Sequence, residues 1–447
     1  MISITKPKAG LIPVAQPYYL AEWCKIAPIE PLIERATKAL EKAGIEVVSF
    51  GTKYFLTERD STDAAEELMK KGVDALIFLV TTWILTDQVL DPIQRTRLPF
   101  VLWAIPETIR SSIVGGSVVK GALDNMGITN YKWVVGLPED EETIKSIRAF
   151  IRAACTHKLL RHSKMGVIGY TTMQMYTADV DFAEVKKIFG ISITHFDSDE
   201  LIREIEKIPD KEAEKVYERI TKEFKRVEPS KKFMLKAIKE YLAIKKMAKE
   251  NGLQLIGAKC HPSPLVEYGM LPCLANTLIN DEGGIVFVCE NDLNAALTML
   301  IEHYLTGQPT ILADLGKIDR KKNTIKLFNC GSAASWFAGG PQNVSLVHQF
   351  EWVGKGVASD FIFKPGRVTI ARLGKVNGCY VMHIATGEVI PTEKEVPRWP
   401  EGEIRLDGSV DEFVKNVLAN HYHIVYEDIK EELVDLCRLL GIKSIVT

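Results

Sequence analysis

The chain lacks the features that would assign it to several large classes of protein. It has no C-x-x-C pair, its eight cysteines (Cys24, Cys155, Cys260, Cys273, Cys289, Cys330, Cys379 and Cys437) being scattered along the sequence. That scatter argues against a structural zinc site or a disulfide framework and for reduced, mostly buried fillers. It has no long apolar run: the longest, Ala75 to Leu85, is about half of the ~18 residues that a membrane span needs. Its start lacks the charged-then-apolar pattern of a secretory signal. Net charge is only −2, so neither nucleic acid nor an acidic membrane is expected as a partner. Neither phosphate-cradling motif, G-x-G-x-x-G or G-x-x-x-x-G-K-[ST], follows any expected strand, which speaks against a nucleotide cofactor. A soluble, cytoplasmic protein is the expectation that remains.

What the chain does have is length and alternation. At 447 residues with 46% apolar content it exceeds one core and should divide into two or three domains. Up to about residue 160, strand patterns (Ala9 to Val14, Glu46 to Phe50, Asp74 to Val80, Phe100 to Ala104, Lys132 to Gly136) alternate with helix patterns. Such alternation predicts a doubly wound parallel sheet. A second α/β block spans residues 161–308, with strands at Met165 to Tyr170, Ser192 to Phe196, Leu253 to Ala258 and Ile285 to Cys289. Inside it, the charge-rich stretch between Asp197 and Asn251 reads as two solvated helices separated by Glu228-Pro229-Ser230. Residues 309–447 change grammar: short period-2 runs from Thr324 to Leu406, broken by glycine turns, predict antiparallel strands and a small β-barrel. The fold class is therefore α/β, two consecutive doubly wound domains followed by a mainly antiparallel β-barrel domain.

The most informative stretch is Gly283 to Leu315. A buried strand pattern ends at Glu290, and an amphipathic helix from Leu293, which Asn291 or Asp292 can cap, runs to Thr306-Gly307. A second strand, Thr310 to Ala313, then delivers Asp314. Read as a right-handed βαβ unit, this places both acids at one carboxyl edge, where open α/β sheets bind ligands. Two adjacent carboxylates repel unless a cation or a shared proton separates them. Acids after strands are, however, more often caps or solvated loop residues. Near the end of the chain, His421 and His423 stand at i and i+2, a usable ligand geometry on one face of a strand, although a lone pair is more often incidental.

The string Cys289-Glu290-Asn291-Asp292, the following helix with Asn294 and Met299, the Leu305-Thr306-Gly307 stop, the Ala313-Asp314 ending, Asn329 to Ala334 and the Asn420-His421 pair resemble the L-fucose isomerase family, related to L-arabinose isomerases and closer to the fucose type. The resemblance implies that Glu290, Asp314 and His421 bind a divalent metal, usually Mn²⁺, with Mg²⁺ or Co²⁺ as substitutes. It implies that Glu290 and Asp314 handle the proton in an aldose–ketose conversion. It also places Trp83, Met173, Lys259 and Asn420 against the sugar, Trp83 from a neighbouring subunit of a homo-oligomer, a hexamer or trimer. Two carboxylates and an imidazole leave open positions on an octahedral ion, suiting Mn²⁺ or Mg²⁺ better than a closed zinc site. Tyr18 and Val357 stand where the fucose enzymes have an arginine and a tyrosine, so the sugar is expected to differ. A sugar-binding or regulatory protein, and a metal-dependent epimerase or lyase, are the competing classes.

Overall fold

A computed structural model describes residues 6–20, 26–260, 268–269, 271–349 and 356–447. Cys24, His261 and Phe350 lie outside them. The chain divides into two compact units, formed by the described parts of Thr5–Leu159 with Glu431–Gly441, and of Leu160–Lys430 with Ile442–Thr447. Among the described residues no disulfide occurs, and Cys155, Cys260, Cys273, Cys289 and Cys437 are buried.

The first unit is built on β1 (Lys8–Val14), β2 (Glu46–Val48), β3 (Ala75–Val80), β4 (Phe100–Ala104) and β5 (Tyr131–Val135). They form an all-parallel sheet in the order β2-β1-β3-β4-β5. Period-2 side-chain alternation divides it between two cores. Leu11, Ile77, Leu79, Val101 and Trp103 face the helices Glu30–Lys42 and Glu141–Arg161. Ile12, Leu76, Phe78, Phe100 and Leu102 face Glu58–Lys70, Asp87–Thr96 and Ser112–Asn125. The helix Asp87–Thr96 has no counterpart in the sequence reading because Pro92 lies inside it, a residue that normally ends a helix. Here Val89, Leu90 and Ile93 are buried and hold it in place. The helix Lys430–Leu440 belongs to this unit, Lys132 reaching Glu431 and Asp435 at 2.6 Å each.

The second unit contains three sheets. In the first, β6 (Lys164–Ile168), β7 (Ser192–Phe196), β9 (Leu255–Ala258) and β10 (Val286–Cys289) run parallel in the order β10-β9-β6-β7. β8 (Arg226–Val227), β13 (Ser345–His348) and β14 (Val357–Asp360) form a small mixed sheet. The third comprises β11 (Ala313–Asp319), β12 (Thr324–Phe328), β15 (Gly366–Val376), β16 (Cys379–Ile390), β17 (Glu401–Leu406), β18 (His421–Val425) and β19 (Lys443–Val446) in the order β15-β18-β11-β12-β17-β16-β19. Because β15 also pairs with β16, the pairing of six strands returns on itself. These pairings are antiparallel, while β19 joins β16 in parallel.

Two expectations are corrected. Ala313–Asp319 is not the parallel partner of β10: it pairs antiparallel with β12 and β18, in a different sheet. A strand, helix and strand of crossover length therefore do not form a βαβ unit here, and the helix Leu293–Thr306 instead links two sheets. The charge-rich stretch holds three helices, Ser198–Lys207, Asp210–Glu223 and Lys231–Glu250. The last is no solvated rod, since Met234, Ala237, Ile238, Tyr241, Ile244 and Met247 join the main core.

Glu240, on that buried face, is fully enclosed, and its carboxylate has no hydrogen-bond partner among the described residues. Desolvation raises it to about 8, against a weaker opposing effect of Lys236. A group raised in the folded state contributes stability that is complete below its unfolded value, near 4.5, and is lost as pH rises through the folded one. Against Glu240→Gln, the wild type should therefore lose a few kcal/mol of unfolding free energy between about pH 4.5 and about pH 8, each pKa unit being worth about 1.4 kcal/mol. Urea titrations of both proteins across that range check this; a difference independent of pH would contradict it.

Candidate active site

The site starts where β10 ends. After Cys289 the chain makes two consecutive left-handed steps, Glu290 (φ 64°) and Asn291 (φ 49°), each costing roughly 1–3 kcal/mol for a residue with a Cβ. Asn291 anchors the turn by donating from Nδ2 to the carbonyls of Ile168, at 2.8 Å, and Tyr170, at 3.2 Å. The Glu290 carbonyl accepts the Thr172 amide at 3.2 Å. Asp292 then caps the helix Leu293–Thr306, accepting the Ala295 amide at 2.8 Å.

Asp314 and His421 meet by a second route. β11 and β18 pair with Asp314 directly opposite His421, and directly opposed side chains share a face of the sheet. The register of β11 slips between Leu315 and Lys317. Gly316 lies in that slip, where a Cβ would stand 2.1 Å from the Phe328 ring. His421 Nε2 lies 3.5 Å from Glu290 Oε2 and 3.4 Å from Asp314 Oδ1. Asn420 donates to the same Asp314 oxygen at 3.0 Å.

The orientation of His421 is set from behind. Its Nδ1 is 2.8 Å from Asp292 Oδ2, and a carboxylate only accepts, so Nδ1 carries a proton and Nε2 faces the two acids. Arg372 on β15 grips the same Asp292 with both terminal nitrogens, at 2.8 and 3.1 Å. Burial alone would push Asp292 up, but Arg372 and His421 hold it below the usual carboxylate range. Burial likewise lowers His421, and is outweighed by the bond to Asp292 and the charges of Glu290, Asp292 and Asp314. A positive charge is thus favoured among these acids, a demand that either an imidazolium or a bound cation meets.

Among the described residues no three His, Cys, Asp or Glu side chains form a ready-made metal cage. The geometry is that of an imidazole nitrogen flanked by two acids at 3.4 and 3.5 Å. Neighbouring ligands of an octahedral ion with bonds of about 2.1 Å stand about 3 Å apart, and each acid lies within about half an ångström of that spacing from the imidazole nitrogen. The donor set, two carboxylates and an imidazole, suits a hard divalent cation.

The other expected residues fall in three places. Lys259 and Met173 line a cavity at the carboxyl edge of the parallel sheet, Met173 in a left-handed conformation (φ 52°). Asn420 is tied to Asp314. Trp83 belongs to the first unit, where its amide donates to the Arg110 carbonyl at 3.0 Å. His423 is buried, with Nδ1 3.0 Å from the Ile311 carbonyl, and burial drives it down to about 3. Arg372 and the clamp role of Asp292 escaped the sequence reading. The signal for Arg372 was a lone arginine within the apolar run VTIARL.

Residues 327–447 match the model of the L-fucose isomerase C-terminal domain. That match and the relatives below support a fucose isomerase-like family. Its relatives include the sulfoquinovose isomerase of Clostridium sp. (strain MSTE9), 26% identical over 367 residues and covering 78% of this chain and 81% of that protein. Those of Priestia aryabhattai and Alkalicoccus urumqiensis are 24% and 23% identical, covering 83% and 87% of this chain and 85% and 89% of their own. A solved sugar-binding protein from Actinobacillus succinogenes 130z with bound D-allose spans 68% of this chain and 93% of its own, at 12% identity and a TM-score of 0.17, too low to describe a shared fold. Among the described residues no helix is long and apolar enough to cross a membrane.

Replacing Arg372 by Met would strip Asp292 of a buried counter-charge. Breaking a buried pair from one side costs roughly 3–5 kcal/mol, so Arg372→Met should lower the urea midpoint strongly. Arg372→Lys, which keeps the charge but not the fork, should lie between it and the wild type.

Proposed function

We propose that the chain is a metal-dependent aldose–ketose isomerase. The observation that carries the proposal is the approach of Glu290 and Asp314, from two different sheets, to one imidazole nitrogen within 3.5 Å. The names of its relatives and the matched C-terminal domain support the same class. The donors that would hold the ion, Mn²⁺ or Mg²⁺, are Glu290, Asp314 and His421 Nε2. When bound, such an ion polarises a sugar carbonyl and stabilises the negative charge that develops on its oxygens.

The chain's own residues would do the rest. Isomerisation moves a proton from C2 to C1 of the open-chain sugar through an enediol, and proton transfer needs a base within hydrogen-bond reach. Glu290 and Asp314 divide this work, one taking the C2 proton and returning it to C1, the other passing a proton between the sugar oxygens. They differ in setting: the Glu290 side chain is 7% exposed and that of Asp314 29%. Asp292 keeps the imidazole turned toward them, and the turn at Glu290 and Asn291 aims the first acid out of its sheet.

The test is a screen of aldoses, sulfoquinovose among them, for ketose formation with Mn²⁺ and after chelation. Ketose is expected only with the ion. Glu290→Gln is expected to reduce turnover by roughly 10²–10⁴, the usual contribution of a general base. Asp292→Asn should weaken Mn²⁺ binding by about 10–100-fold, as loss of an outer-shell carboxylate does. Turnover indifferent to chelation, or a fully active Glu290→Gln, would overturn the proposal. In deuterated water the enediol route places solvent deuterium at C1, whereas a hydride shift leaves none there.

A further inference from the structure

The carboxyl edge that presents Glu290 also carries a cavity of about 750 Å³. Its walls come from the residues that follow the four parallel strands: Gly169 and Tyr170 after β6, Lys259 after β9, Asn291 after β10, with His195 near the end of β7. Cys289 pairs with Ala258, so Glu290 and Lys259 leave the sheet side by side. This cavity and Glu290 therefore open from one edge.

Lys259 is 2% exposed. Its ammonium sits 3.2 Å from the centroid of the Tyr170 ring, and no described residue gives that ammonium a hydrogen bond or ion pair. Gly169, at φ +77°, leaves room for the lysine stem: a Cβ there would lie 3.3 Å from Lys259 Cβ. Burying an ammonium costs several kcal/mol unless a counter-charge faces it, and a ring face returns only about 0.5–2. Lys326, buried to a similar degree, shows the ordinary solution, with Glu395 at 3.1 Å and Glu401 at 3.5 Å. The one acid among the described residues of the cavity wall, Asp179, bonds the Thr171 hydroxyl instead. A neutral hydroxyl arriving here would take a hydrogen bond but leave the charge unbalanced; an anion balances it.

We infer that the cavity receives an anionic group, a sulfonate or a phosphate, at the end of the sugar remote from its carbonyl, with Lys259 as its counter-charge and the Tyr170 ring as the support of that lysine. This names the substrate class of the proposed isomerase and rests on that reading for the identity of the ligand as an aldose. His195, packed at 4.7 Å on the Phe182 ring, is the second donor available to the anion.

Calorimetric titration of the Mn²⁺-loaded full chain with D-glucose, glucose 6-phosphate and sulfoquinovose tests it. At least one anionic sugar should bind about tenfold or more tighter than glucose, the usual value of a charge-assisted hydrogen bond. The tighter of the two identifies the anion. Lys259→Gln should erase the preference, Lys259→Arg should retain most of it, and Tyr170→Leu, a change at a residue 71% exposed, should reduce it severalfold. Equal affinity for all three sugars in the wild type would overturn the inference. So would a preference that survives in folded Lys259→Gln or, should that variant fail to fold, one left undiminished in Tyr170→Leu. Lysine-dependent binding of an anionic sugar that is never converted to ketose would keep the pocket and remove the isomerase. Conversion of neutral aldoses with no anionic preference would do the reverse.

Discussion

Asp292 accepts four hydrogen bonds on two oxygens: the Ala295 amide and Arg372 on one, Arg372 and His421 on the other. Each donor comes from a different structural need. The amide is an orphan of a helix start, the guanidinium projects from an antiparallel strand, and the imidazole projects from the neighbouring strand. A buried carboxylate is tolerated only when its acceptor capacity is filled and its charge is balanced, and here both conditions are met by residues about 80 and 130 positions away in sequence. The parallel sheet, the linking helix and the antiparallel strands are thereby pinned to one carboxylate. The direction of His421 follows from that pin.

The strained turn beside it has the same logic. Left-handed backbone at Glu290 and Asn291 would be replaced by glycine if only a turn were needed, since glycine adopts it at no steric cost. Side chains are retained because each is used: Asn291 bonds the end of β6 and Glu290 approaches His421. The sheet edge and the helix cap fix both ends of a two-residue step, so neither residue can relax without breaking a buried hydrogen bond.

Much of this was legible in the sequence, for reasons that can be separated. Apolar runs located the strands buried on both faces, Phe100–Ala104 to the residue, because such a strand leaves no other pattern; the partly exposed edge strand Ser192–Phe196 was also placed to the residue. Glu290, Asp314 and His421 were singled out, and the structure brings them together, yet the βαβ argument for the first two was wrong. Proximity arises from the cross-strand register of Asp314 with His421, and pairing between strands about a hundred residues apart leaves no local trace. Arg372 and Asp292 were invisible as a pair for the same reason. The Lys231–Glu250 helix was misread because its lysines and glutamates are spread along its whole length, while buried residues at helical spacing occupy one face. Pro92 concealed a helix whose packing outweighs the lost hydrogen bond.

Two buried cations of this unit show how charge is distributed between structure and ligand. Arg372 is fully enclosed and its partner is covalently part of the chain; a planar fork matched to a carboxylate is the arrangement that makes such a pair rigid. Lys259 is equally enclosed but opens on a cavity and rests on an aromatic face. An ammonium on a flexible stem is poorly suited to holding a fold together and well suited to meeting a charge that arrives and leaves. The acids around His421 present the complementary case, negative charge that favours a positive charge on the imidazole between them. One edge of the parallel sheet thus carries the acid Glu290 and, on the adjacent strand, the cation Lys259. The ligand we propose, a sugar chelating a metal at one end and carrying an oxyanion at the other, would address both positions together.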